Sequence, residues 1–128
     1  MNLSQLKAVY TDLSQYVDVE DGLNRIRKNK KVYRTVLSSF IQNTHYDDLS
    51  EQLARGDAEA ARVTAHTIKG LAANLSLPML LKQTLELQNR LKSVGASGLP
   101  RPDELGKAMA KTIEYIGIVL QHLDDMEF

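Results

Sequence analysis

The stretch Thr64-Ala65-His66-Thr67-Ile68-Lys69-Gly70-Leu71-Ala72-Ala73-Asn74 decides how this chain is read. Nothing near it breaks a helix before Leu77-Pro78, which predicts one helix over about residues 57–75. At about 100° per residue its side chains sort onto two sides. Ala61, Thr64, Ile68, Leu71, Ala72 and Leu75 gather on one side and are expected in a core. Arg62, His66, Lys69, Gly70 and Ala73 gather on the other, at the three- and four-residue spacings of helical neighbours. His66 therefore points away from the packing face, and Gly70 and Ala73 place almost no side chain beside it. A glycine inside a helix costs about 1 kcal/mol relative to alanine, so Gly70 asks for a reason other than helix stability. Lys69, one turn along, sets an ammonium beside any anion that His66 carries.

Outward from this stretch the chain keeps reading as helix. Upstream, Gly56 closes a helix expected over about residues 31–54, and Asp57 caps the one that follows. The upstream helix carries Tyr33, Val36, Leu37, Phe40, Ile41, Leu49 and Leu53. His45, four residues from both Ile41 and Leu49, reads as a partly buried structural histidine. Asp18 caps a short helix running to about Lys28, with Asp21 in its first turn. The basic run from Arg25 to Lys31 reads as a solvated helix end and turn. Leu3, Leu6, Tyr10, Leu13 and Val17 predict a first amphipathic helix.

Downstream, Ser76-Leu77-Pro78 makes a tight turn with proline near the first helical position. A helix follows over about residues 79–94, with Leu80, Leu81, Thr84, Leu85 and Leu91 on its stripe. Gln88 stands in that stripe, where an amide needs a hydrogen-bond partner or a place at the rim. Gly95 to Pro102 forms the longest loop. A last helix is expected over about residues 102–125, with His122 as a surface histidine beside its apolar stripe. Together these segments predict an all-α fold: an antiparallel up-down-up-down four-helix bundle, with one or two short N-terminal helices covering one end.

Composition narrows the function classes. A length of 128 residues suits one domain with a single core. Sixteen basic and sixteen acidic residues cancel, so no global field argues for nucleic acid or an anionic membrane. Cysteine is absent, which removes disulfides, thiolate nucleophiles and cysteine metal sites. No apolar run approaches the ~18 residues of a membrane span, and the polar start is unlike a signal peptide. With aromatics at 5% and no tryptophan, base-stacking platforms are not expected. A cytoplasmic monomer is the expectation.

The run His66-Thr67-Ile68-Lys69-Gly70, followed by Asn74, resembles the His-x-x-Lys-Gly signature of histidine-containing phosphotransfer (HPt) domains. The resemblance extends to Val19-Glu20-Asp21-Gly22-Leu23, to Tyr33, Leu37 and Phe40, and to Gly56-Asp57. It covers roughly residues 17–94, with a compatible last helix. Gln88 also fits, since similar domains commonly carry a glutamine at this spacing from the histidine, near its imidazole. Ser76 departs from the pattern, because the turn after the motif often carries glycine. Ala73 stands where glycine or another small residue is usual.

The residues themselves limit the chemistry. A neutral imidazole is a good nucleophile near neutral pH, yet no carboxylate lies one turn away on the exposed face to serve as partner base. No Ser–His–Asp arrangement, glycine-rich phosphate loop or paired-carboxylate metal site accompanies it. One histidine, one lysine and a clearing at glycine fit phosphoryl transfer between proteins, where a catalyst chiefly positions groups and balances charge. The resemblance implies that His66 is the phosphorylated nucleophile and that the chain is an intermediate carrier in a multistep phosphorelay, without ATPase or autokinase activity. Lys69 would offset phosphoryl charge and Gln88 would hydrogen-bond the imidazole or phosphoryl group. Arg62, Gly70, Ala73 and Asn74 would meet receiver domains of response regulators or of a hybrid histidine kinase. No cofactor or metal site is expected in this chain, Mg2+ belonging to the receiver. Two other readings stay open: the phosphoacceptor domain of a chemotaxis-type kinase, and a non-catalytic helical adaptor. A kinase dimerisation domain fits less well, because Thr67-Ile68-Lys69 lacks the acidic residue, arginine and proline that normally follow its histidine.

Overall fold

A computed structural model describes residues 1–93 and 98–127 of the chain. Eight α-helices follow one another among the described residues, with no strand between them. Three short ones come first: α1 (Leu3–Val9), α2 (Leu13–Tyr16) and α3 (Val19–Asn24). Then come α4 (Lys30–Gln42), α5 (Tyr46–Ala54), α6 (Ala58–Asn74), α7 (Pro78–Lys92) and α8 (Asp103–His122), which ends in a 3-10 turn at Leu123–Asp125. The protein is an all-helical bundle. Helix α6 packs between α5 and α7, α7 packs on α8, and α4 returns to α8 to close the ring. Turns as short as Leu75–Leu77 reverse the chain, so neighbouring long helices run up and down.

The helix expected over 31–54 is in fact two. Asn43 is extended (φ −147°, ψ 90°) and His45 is left-handed (φ 64°), which separates α4 from α5. The residues explain the break. The Thr44 hydroxyl accepts the Tyr46 N–H at 3.4 Å, and such side chains compete with the helical ladder. Asp47 and Asp48 then favour a fresh helix N-terminus. The expected first helix also divides, at Tyr10–Asp12, because Asp12 turns to α8. Its carboxylate accepts the Tyr115 hydroxyl and pairs with Lys111 at 2.6 Å. Three short N-terminal helices therefore stand where one or two were expected. The third stops at Asn24 rather than near Lys28, since Arg27 and Lys28 are both left-handed (φ 57° and 61°). The expected helix end at Val94, and the loop residues Gly95 to Ser97, lie outside the described residues.

The apolar stripes meet in one core that includes Leu37, Phe40, Leu49, Ile68, Leu87 and Ile116. The N-terminal helices add Leu6, Leu13 and Val17 to it, with α2 resting on α7 and α8. Close approach at Gly22 brings α3 against the end of the bundle. A Cβ there would stand 2.9 Å from Cε1 of Tyr33 and 3.4 Å from the Leu75 carbonyl oxygen. No helix among the described residues is long and apolar enough to cross a membrane.

Candidate functional site: the outer face of helix α6

Helix α6 is built by its ends and by alanine. The Asp57 side chain accepts the Ala60 N–H at 3.1 Å, capping the first turn, and Glu59 adds negative charge where the helix dipole favours it. Ala61, Ala65, Ile68 and Ala72 form the fully buried side. This side is rotated from the one expected: Ala65 is buried, while Thr64, Leu71 and Leu75 are only half-buried. Alanines let α5 and α7 approach closely, so the contact line runs through the smallest side chains.

The rotation leaves His66 exposed on the opposite side. Of the three histidines it is the one fully outside, because His45 and His122 are half-buried. His122, expected at the surface, has its Nδ1 2.9 Å from the Met1 amine. Around His66, Arg62 is exposed and pairs with Glu59 at 3.2 Å. Lys69 is half-exposed and forms no ion pair or hydrogen bond among the described residues. Nothing beyond the helix's own backbone lies within 4 Å of where a Gly70 Cβ would stand. Its missing side chain therefore serves no packing contact. Asn74 is exposed and Ala73 half-buried. Gln88, on α7, is half-exposed and makes no hydrogen bond to His66 among the described residues.

Two depressions flank the C-terminal half of this ridge. One is a groove of about 400 Å³ between α4 and α6, lined by Val36, Ser39, Phe40, Asn43, His45, Leu71, Asn74 and Leu75. The other is a cleft of about 140 Å³, where Ala73 and Leu81 face Asp18, Asp21 and Arg25 of the α3 region. Neither was foreseen from the sequence as part of the site. The signal for the groove was present in Val36, which lines it together with Phe40 one turn on. Val63 was missed as well. It is 62% exposed, one turn before His66, and sets an apolar side chain on the same ridge.

The turn closing α6 accommodates the departure at Ser76. That residue is left-handed (φ 57°), the conformation glycine adopts at no steric cost. Here the serine hydroxyl donates to the Asp21 carboxylate, and the Asp18 N–H donates to the Ser76 carbonyl at 3.0 Å. The Ser76 hydroxyl, and after it Arg25, hold the Asp21 carboxyl below its usual range. No cluster of three or more potential metal-ligating His, Asp or Glu side chains exists among the described residues.

In this all-α bundle an alanine-rich helix offers one imidazole to solvent beside a cation and a bare glycine. The family model of the Hpt domain matches residues 37–125. The chain belongs to the Hpt domain family. Such domains are phosphotransfer histidine carriers of two-component signalling, without intrinsic catalytic activity, and they interact with receiver domains of response regulators. No curated protein matches the chain, and no solved structure does.

Proposed function

We propose that His66 is the phosphorylated residue, taking its phosphoryl group from the aspartyl phosphate of one receiver domain and passing it to the aspartate of another. The observation that carries this is the exposed imidazole of His66 beside open space at Gly70. A ring nitrogen attacks phosphorus while the bond to the aspartyl oxygen breaks, leaving a free carboxylate on the receiver and an N–P bond on His66. Lys69 offsets charge on the phosphoryl oxygens, and Gln88 turns its amide to the imidazole or phosphoryl group once the phosphoryl is in place. Arg62, Gly70, Ala73 and Asn74 meet the receiver, whose loops come to reacting distance, ~3–3.5 Å, over the bare backbone. The neighbouring α4–α6 groove receives apolar side chains of the same partner. Mg2+ enters with the receiver. The chain works as a monomer in the cytoplasm.

The test is a transfer assay. A receiver domain phosphorylated with labelled acetyl phosphate is mixed with the protein, and a second, unlabelled receiver is added later. Label is expected to pass to the protein and then onward, with none passing in the His66→Gln variant. Lys69→Ala should slow transfer about tenfold, less than the loss of a buried oxyanion donor because Lys69 is half-exposed. Label arriving from a kinase with ATP, and never from a receiver, would contradict the carrier role and assign the domain to a kinase.

A further inference from the structure

Besides its histidine, helix α6 carries three charged side chains, Glu59, Arg62 and Lys69. At about 100° per residue all three fall within about 60° of His66. Arg62 stands four residues before the histidine and Lys69 three after it, so both are its neighbours on the helix surface. Side chains of a helix lean toward its N-terminus, over the residues three and four before them. By that rule Lys69 leans back to His66, and His66 leans over Val63 and Arg62. Arg62 leans the same way, onto Glu59, and pairs with it at 3.2 Å.

The two cations beside the histidine therefore differ. Lys69 forms no ion pair among the described residues, whereas Arg62 is drawn toward the helix start by a carboxylate. That pair is held lightly. The Glu59 side chain is 83% exposed and that of Arg62 47%, and a solvated pair on a helix surface contributes little. A phosphoryl group is a stronger partner. It carries close to two negative charges and three acceptor oxygens, and a planar guanidinium binds such oxygens in pairs. On His66 it would arrive over the turn from which Arg62 itself springs.

We infer that Glu59 and Arg62 form a latch that phosphorylation of His66 opens: the guanidinium leaves the carboxylate and binds the phosphoryl oxygens from the N-terminal side, while Lys69 meets them from the C-terminal side. No covalent bond changes in the swap; one ion pair is exchanged for another. This rests on the phosphotransfer reading and adds two roles to it. Arg62 acts on the phosphoryl group itself, and Glu59 is a positioning residue that keeps the cation aside while the ring is unmodified. An unpaired carboxylate at Glu59 then marks the loaded carrier, so the ridge presents a different charge pattern in each state.

The experiment reads the phosphoryl group directly. Wild type, Arg62→Gln, Glu59→Gln and the double variant are phosphorylated with excess acetyl phosphate and a catalytic amount of receiver domain, then desalted. The phosphorus NMR signal of each is titrated through the second ionisation of the phosphoryl group at low salt, where screening is weak. A unit charge about 6 Å away in water moves such a midpoint by about half a pH unit. Loss of the cation disfavours the dianion, so Arg62→Gln should raise the midpoint by about that much. Loss of the competing carboxylate should lower it in Glu59→Gln, and the lowering should shrink when Arg62 is already gone. Circular dichroism should be the same in all four proteins, since both side chains are exposed. An unmoved midpoint in Arg62→Gln, or a Glu59→Gln shift of equal size with and without Arg62, would overturn the latch and leave the phosphotransfer reading intact. No phosphohistidine signal in the wild type would remove both readings.

Discussion

Gly70 separates stability from function at the level of one residue. It occupies the interior of α6 with nothing packed over it, so Gly70→Ala should stabilise the protein by up to about 1 kcal/mol. The melting temperature should rise by a few degrees. Gly70→Gln should leave helical content unchanged in circular dichroism while slowing transfer from a phosphorylated receiver. Normal transfer in that variant would remove the steric reason for the glycine. Tyr33 makes the opposite case, a residue whose polar group does nothing visible for the fold. Its hydroxyl is buried without a hydrogen-bond partner, and burial pushes its phenol well above the usual range. Tyr33→Phe should therefore raise stability, by about 1 kcal/mol in a denaturant titration. A loss of that size would mean that the hydroxyl is satisfied in solution. His66 and Gly70 were legible in the sequence because helical spacing alone puts them opposite the apolar side. The burial of Ala65 was not, since spacing cannot say how far a helix rotates when alanines are its closest contacts.

At the scale of elements, the helix ends carry most of what periodicity concealed. Leu37, Phe40, Leu49 and Leu53 all lie in the core, which a single helix over 31–54 also seemed to explain. The separation at Asn43–His45 depends on Thr44 and on the acidic start of α5, local chemistry that a stripe of leucines does not report. The turn after α6 offers a cleaner test. Asp21 accepts the Ser76 hydroxyl and has its carboxyl lowered from 3.8. A lowered carboxyl stabilises the fold above the unfolded pKa, and that contribution disappears as pH falls through the folded value. Ser76→Ala keeps the left-handed backbone and removes only the hydrogen bond. The variant should melt below the wild type at neutral pH, and the two should converge as acid protonates the lowered Asp21 carboxyl. A gap that persists unchanged in acid would show that the serine acts through packing alone.

At the scale of the whole molecule, the family match begins at residue 37, so α1 to α3 and the start of α4 lie outside the matched region. They are not loosely attached. Leu13 and Val17 are fully buried, and α2 rests on α7 and α8. Leu13→Ala should cost about 2–5 kcal/mol without changing the rate of phosphoryl uptake by the fraction that remains folded. A rate change with stability intact would tie the N-terminal helices to the site. The sequence showed this region only as amphipathic spacing. Its docking depends on Asp12 reaching Lys111 and Tyr115 across roughly a hundred residues, a pairing that no local pattern encodes.

The most direct measurement is the location and chemistry of the phosphoryl group after exposure to a phosphorylated receiver. Intact-mass and fragment spectra should place one phosphoryl group on His66, stable in alkali and lost in mild acid, as a phosphoramidate is. The modification should be absent from His66→Gln at equal helical content. A phosphoryl group on His45 or His122, or none on a folded wild-type protein, would contradict the assignment of His66 as the carrier.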